Sequence, residues 1–132
     1  MNTPRARILI VDDHPNTALT FARAISQLSS NLDVASANSG KAALASIDEQ
    51  PVDILITDMM MPDMNGLELI ETLRSRSGRS STYTILITAY DVPGLRESAK
   101  RLQVNQTVIK PVRPEALCRI VSNVLAELER IK

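Results

Sequence analysis

Five short apolar runs, each closed by polar residues and followed by a stretch of helical periodicity, constrain this chain more than any other feature. The first is Ile8-Leu9-Ile10-Val11, ended by Asp12, Asp13 and Pro15. Pro15 suits the first turn of a helix, and Ala18, Phe21, Ala22, Ile25 and Leu28 recur behind it at helical spacing. Residues 32–35 read as a second strand, and Asn38 or Ser39 as the cap of a helix through Ala43, Leu44 and Ile47. After Pro51, residues 53–57 predict a third strand running into Asp58. Beyond the Met59-Met60-Met61-Pro62 loop, Asn65 is the predicted cap of a helix carrying Leu67, Leu69, Ile70 and Leu73. A polar connection over 75–81 leads to a fourth strand at 83–88. Pro93 and Gly94 then open a weaker helix with Leu95, Ala99 and Leu102. Residues 107–109 form the fifth predicted strand, and Pro114 begins the last helix.

The runs are continuously apolar rather than alternating, as strands buried on both faces of a parallel sheet must be. Strands alternating with helices predict an α/β doubly wound sheet, flavodoxin-like, of five strands in order 2-1-3-4-5 with five helices. A ligand then belongs at the carboxyl ends of the strands. The 132 residues suffice for one domain and leave no room for a second. Apolar residues at 44% and charged residues at 23% give a globular composition, not a disordered one. Fifteen Lys and Arg balance fifteen Asp and Glu, which argues against nucleic-acid or anionic-membrane binding as the main role. Cys118 is the only cysteine, so an internal disulfide and a cysteine-based zinc site are excluded. No apolar run approaches a membrane span and none follows the amino-terminal arginines, so the expectation is a soluble cytoplasmic protein without a signal peptide.

On that plan the polar residues gather. Asp12 and Asp13 follow the first strand, Asp58 ends the third, Thr88 the fourth and Lys110 the fifth. Three carboxylates brought together repel, and each resists ionising unless something positive compensates. A hard divalent cation with oxygen ligands does so, and Mg²⁺ typically takes one or two carboxylates together with waters and a phosphate. Lys110 adds positive charge and Thr88 a hydroxyl donor. The set has the makings of a phosphoryl site in which metal and lysine neutralise the transferring group and one carboxylate is the nucleophile.

Asp12-Asp13, the Asp58-Met59-Met60-Met61-Pro62 segment with Gly66 eight residues after Asp58, Thr88-Ala89 and Lys110-Pro111 resemble the receiver domain of two-component response regulators in order and spacing. The resemblance covers nearly the whole chain, with a core of about residues 7–127 and no output domain. It implies that Asp58 is the phosphoacceptor, fed by a phosphohistidine on a sensor histidine kinase or histidine phosphotransfer protein. It further implies Mg²⁺ as cofactor, held by Asp13, Asp58 and the backbone carbonyl of Met60, with Asp12 acting through a metal-bound water. Lys110 would contact the phosphoryl oxygens across a cis Lys110–Pro111 peptide. Thr88 would swing inward in the phosphorylated state. Such a domain is a switch that takes part in its own phosphotransfer and dephosphorylation, not an enzyme in the ordinary sense.

The chain departs from that pattern at two places. Receivers usually carry an aromatic residue three positions before the lysine, where this chain has Thr107, and commonly a glycine seven before it, where this chain has Gln103. Activation is therefore expected to proceed through loop and helix movement without aromatic rotation. In the family the positions of Met60 and Tyr90 tune loss of the phosphoryl group. Neither offers a carboxylate or amide to orient water, so slow self-dephosphorylation is expected.

Competing readings are blander. His14 reads as a loop residue beside the site, the methionine run as packing filler, and Cys118 as a small buried hydrophobe. Leu117, Val121, Val124, Leu128 and Ile131 follow a four-three spacing. That is either the core stripe of an amphipathic helix or a seam that pairs with a second copy or continues into an output domain. A pseudo-receiver that binds partners without accepting phosphate is the alternative function. An aspartyl phosphohydrolase of the haloacid dehalogenase type needs a second carboxylate where Met60 stands, and no glycine-rich nucleotide fingerprint follows the first strand.

Overall fold

A computed structural model describes residues 5–76, 81–89 and 93–131, with Ile131 described in its backbone alone. The elements run β1 (Ala6–Val11), α1 (Pro15–Ser26), β2 (Leu32–Ala37), α2 (Gly40–Glu49), β3 (Ile54–Asp58), α3 (Gly66–Ser75), β4 (Tyr83–Thr88), α4 (Leu95–Arg101), β5 (Gln106–Ile109) and α5 (Pro114–Ile131). The five strands form one parallel sheet in the order β2-β1-β3-β4-β5. This is the doubly wound architecture that the strand–helix alternation predicts. Tyr90 and most of the polar connection before β4 lie outside the described residues, as do Met1–Pro4.

Successive strand side chains point to opposite faces, and both faces of the central strands are covered. Ile8 and Ile10 of β1, Ile54 and Ile56 of β3, and Ile85 and Ile87 of β4 pack with Phe21 and Ile25 of α1 and Leu117, Val121 and Val124 of α5. The intervening Leu9, Val11, Leu55 and Leu86 pack on the other face with Ile47 of α2, Leu69, Ile70 and Leu73 of α3 and Leu95 of α4. Each fully buried Ile or Leu contributes about 1.5–3 kcal/mol, so these two layers supply most of the driving force that holds the strands in register.

The expectation of burial on both faces fails at the sheet edges. Thr107 and Ile109 of β5 are exposed, and β2 is only partly buried. Each edge strand has one hydrogen-bonded neighbour and lies where the helical layers run out. The four-three spacing on α5 is mainly a core stripe: Leu117 and Val121 are fully buried, Val124 nearly so, and Leu128 packs against the same layer. Ile131 falls outside the described side chains. Cys118 is a free, partly buried thiol on that helix, and burial raises its pKa. Among the described residues no helix is long and apolar enough to cross a membrane.

Local chemistry sets where the helices start. Ser39 accepts a hydrogen bond from the Ala42 amide at the head of α2. Asn65 and Glu68 exchange side-chain-to-backbone hydrogen bonds of 2.8 and 2.9 Å in a reciprocal cap of α3. Gly94 opens α4 at φ +88°, a conformation that L side chains resist. Gln103, in the turn after α4, sits at φ +59° although it is not glycine. That is the position where the receiver pattern commonly places a glycine.

Candidate functional site at the carboxyl ends of the strands

β1, β3, β4 and β5 deliver Asp12, Asp58, Thr88 and Lys110 to one edge, because parallel pairing aligns their carboxyl ends. Register does the fine placement: Asp58 lies beside Ile87 in the β3–β4 ladder, and Thr88 beside Ile109 in the β4–β5 ladder. The Lys110 amide donates to the Thr88 carbonyl at 2.8 Å, tying the last two strand ends together. The Lys110–Pro111 peptide is cis, as the sequence pattern anticipates.

Asp58 is 4% exposed and its Oδ1 lies 2.9 Å from Lys110 Nζ. Burial raises its pKa above the ordinary 3.8. The hydrogen bond and charge of Lys110 pull it back, and the charges of Asp12 and Asp13 push it up again. Desolvation of the buried carboxylate, more than the neighbouring acids, is what leaves the net shift upward despite Lys110.

Gly66 makes the close packing behind Asp58 feasible. A Cβ there would lie 2.6 Å from the Asp58 carbonyl oxygen, 2.6 Å from Leu86 Cδ1 and 3.1 Å from Met59 Cα. Its amide donates to the Met59 carbonyl at 2.9 Å, and the Met59 amide donates to the Ile87 carbonyl at 2.7 Å. The loop from 59 to 65 is thus closed on β4 and on the head of α3. Within it Met61 is buried, whereas Met60 is 66% exposed.

Asp12 is buried and Asp13 partly so. Asp12 Oδ1 accepts the His14 amide at 2.9 Å, turning the chain into α1. His14 Nδ1 lies 3.2 Å from Asp12 Oδ1 and 3.2 Å from Asp13 Oδ1. The Asp13 Oδ1 atom is buried without a hydrogen-bond partner, the His14 approach being an ion-pair distance and not an aligned hydrogen bond. An orphaned carboxylate oxygen beside two further acids is an environment that a divalent cation would satisfy, and its oxygen donors fit Mg²⁺. The ligand atoms of Asp12, Asp13 and His14 lie within 4.8 Å of one another.

Of the residues singled out in the sequence, Asp58 and Lys110 are in direct contact, Thr88 is buried and joined to Lys110 through the backbone, and Asp12 and Asp13 act on Asp58 electrostatically. Met60 lies on the adjoining loop with its side chain outward. What the sequence reading understated is His14, whose ring reaches both aspartates. Its position directly after Asp12-Asp13 was the available signal.

The chain is thus a doubly wound α/β domain of five parallel strands with an acid-and-lysine site at the carboxyl edge of its sheet, where such folds bind their ligands. Comparison with known proteins specifies the family. The model of the response regulator receiver domain matches residues 8–122, and this chain belongs to that family. It is 27% identical over 125 residues to a probable chemotaxis protein CheY of Rhizobium etli, covering 95% of this chain and 96% of that protein. It is 33% identical over 135 residues to the DNA-binding response regulator MtrA of Mycolicibacterium smegmatis, covering 98% of this chain but 54% of that protein. Among solved structures, the chemotaxis protein CheY4 of Vibrio cholerae superposes with a TM-score of 0.82 at 26% identity, covering 90% of this chain and 98% of that one.

Proposed function

We propose that this chain is a phosphorylation-dependent switch that accepts a phosphoryl group on Asp58 from a phosphohistidine donor. The observation that carries this reading is the buried Asp58 carboxylate held 2.9 Å from Lys110 Nζ, beside two further acids of which one has an orphaned oxygen. Oδ1 of Asp58 faces Lys110, so the other carboxylate oxygen is the one placed to attack phosphorus. The new oxygen–phosphorus bond forms as the phosphorus–nitrogen bond of the donor breaks, and the released imidazole takes up a proton. Lys110 neutralises the phosphoryl oxygens as their charge develops. Asp12, Asp13, Asp58 and the carbonyl of Met60 are the groups that would hold Mg²⁺, which supplies charge neutralisation across the phosphoryl oxygens.

Thr88 is the residue placed to read the result. It is buried at the end of β4, directly ahead of the segment leading to α4, and a hydrogen bond to a phosphoryl oxygen would draw that segment inward. The exposed Thr107 offers no aromatic ring to rotate with it, which favours loop and helix movement. The partners this reading calls for are a sensor histidine kinase or histidine phosphotransfer protein upstream, in the cytoplasm. Downstream the partner is a bound target, a second copy or an output domain. The receiver unit spans about residues 7–127, and as a switch it is consumed and reset instead of turning over substrate.

Intact mass after incubation with acetyl phosphate and Mg²⁺ tests this directly. One added phosphoryl group on the wild type, absent without metal and absent in Asp58→Asn, is the expected result. No mass gain together with no binding of Mg²⁺ or beryllofluoride would leave an interaction module that signals by contact alone.

A further inference from the structure

The loop that follows Asp58 ends in a peptide bond that can modify itself. Asn65 is the one asparagine of the chain that is followed by glycine. In such a pair the glycine nitrogen, with no Cβ on its own residue to hinder it, can attack the asparagine carboxamide. We propose that Asn65 is a self-deamidation site gated by the loop over residues 59–65, so that a molecule is marked only when that loop opens.

The chemistry balances with solvent alone. The Gly66 backbone nitrogen loses its proton to hydroxide and bonds to Cγ of Asn65, and the carboxamide nitrogen leaves as ammonia. Water then opens the five-membered imide at either carbonyl. One product is an ordinary aspartate at position 65. The other is an isoaspartate, whose main chain runs through the former side chain and is one methylene longer.

The folded structure ties down both reacting groups. The buried Gly66 amide donates to the Met59 carbonyl at 2.9 Å, so its proton is engaged. Asn65 Oδ1 accepts the Glu68 amide at 2.8 Å, which holds the carboxamide over the head of α3. Asn65 sits at ψ 170°, where the Gly66 nitrogen is turned away from the ring that must close. Attack needs the reacting atoms aligned and about 3–3.5 Å apart. Reaching that arrangement turns the Asn65 torsion and carries the Gly66 amide off Met59, which is the opening of the loop.

That opening is local. Among residues 59–65 only Met61 is buried, and Met60, Pro62 and Asp63 are exposed. A segment with so few buried contacts opens at lower cost than the β3 and α3 elements that flank it.

The two products differ in consequence because of where Gly66 lies. A Cβ there would already meet the Asp58 carbonyl oxygen at 2.6 Å, so an extra methylene just ahead of it must displace Asp58 or the head of α3. The aspartate product keeps the cap and adds negative charge where the helix dipole favours it. On the proposed function, the isoaspartyl product is therefore the one that disables the phosphoacceptor.

The test ages the full chain in warm, mildly alkaline buffer, native and in guanidinium chloride, with Asn65→Asp alongside. Peptide mapping locates the change from amide to acid and separates the two products, while hydrogen exchange measures protection of the Gly66 amide. The expected result is reaction at Asn65, slower in the native chain by about tenfold or more and by the factor that protects the Gly66 amide, yet faster than global unfolding allows. The isolated isoaspartyl fraction should gain mass from acetyl phosphate about tenfold or more slowly than wild type, with Asn65→Asp near wild type. No reaction at Asn65, even unfolded, overturns the site. Equal native and unfolded rates, or a native rate that global unfolding accounts for, overturn the gate. An isoaspartyl fraction phosphorylated at the wild-type rate overturns the link to Asp58. A fresh wild type that takes up no phosphoryl group while Asn65 reacts as expected overturns the proposed function and leaves this site standing.

Discussion

Lys110 Nζ and Asp58 Oδ1 stand 2.9 Å apart across the ends of β5 and β3, with β4 between them in the sheet. The pair is asymmetric: Asp58 is almost wholly buried while Lys110 is 40% exposed. On the proposed function the lysine would be free to follow a phosphoryl group outward, whereas the carboxylate would stay in place.

The raised pKa of Asp58 has a consequence for stability. A carboxyl whose pKa is higher folded than unfolded binds its proton more tightly in the native state. Folding stability then falls as pH rises above 3.8 and through the folded pKa. Without divalent metal, Asp58→Asn should be more stable than wild type at neutral pH, with the gap closing as pH is lowered toward 3.8. Thermal melts across that window would check it. A variant less stable at neutral pH would show that the Lys110 attraction outweighs burial and like-charge repulsion.

Lys110→Ala removes the hydrogen bond and the positive charge that lower the Asp58 pKa, so that pKa should rise further. Losing one preorganised positive donor at a developing phosphoryl charge typically costs about a hundredfold or more in rate. The rate of mass gain from acetyl phosphate should drop by about that factor with the fold intact. A near-wild-type rate would remove Lys110 from the chemistry.

Gly66→Ala places a methyl against the Asp58 carbonyl and Leu86. Overpacking of this kind costs about 1–3 kcal/mol, because backbone cannot yield as a flexible side chain does. Displacing the Asp58 backbone should also slow phosphorylation by about ten- to a hundredfold. Urea unfolding and phosphorylation rate should therefore fall together; a change in stability alone would mean that the strain relaxes away from Asp58.

Gln103→Gly should stabilise the fold. A non-glycine residue at φ +59° pays a steric cost that glycine does not, offset in part by glycine's greater freedom in the unfolded chain. The net gain is about 0.5–1 kcal/mol, visible as a higher urea midpoint. Gln103 also accepts a hydrogen bond from Arg74 through its backbone carbonyl, which the substitution keeps.

Much of this molecule was legible in its sequence, for reasons that differ by element. β4 was read end to end at Tyr83–Thr88 because polar neighbours flank an apolar run buried on both faces. β2 extends two residues beyond the reading, to Ala37, because Ser36 and Ala37 join the ladder with β1 through backbone hydrogen bonds that side-chain hydropathy does not record. The α5 spacing was ambiguous in principle, since a core stripe and a pairing seam share one periodicity; packing against β1, β3 and β4 resolves it. The strand-end rule brought Asp58 and Lys110 to one edge. The His14 contact was hidden because it depends on the backbone turn that Asp12 makes with the His14 amide.

Arg74, at the end of α3, donates to the carbonyls of Thr82, Leu102 and Gln103, and to Thr84 Oγ1. Asn105 Oδ1 accepts the Thr84 amide at 2.8 Å in the same cluster. One guanidinium thus pins the start of β4 and both sides of the turn between α4 and β5, at the end of the sheet remote from Asp58. On the proposed switch, a pull on Thr88 would act on a lever clamped at its far end. β4 would then not slide as a rod, and the displacement would pass to α4 (Leu95–Arg101), which lies between Thr88 and the clamped turn in the chain.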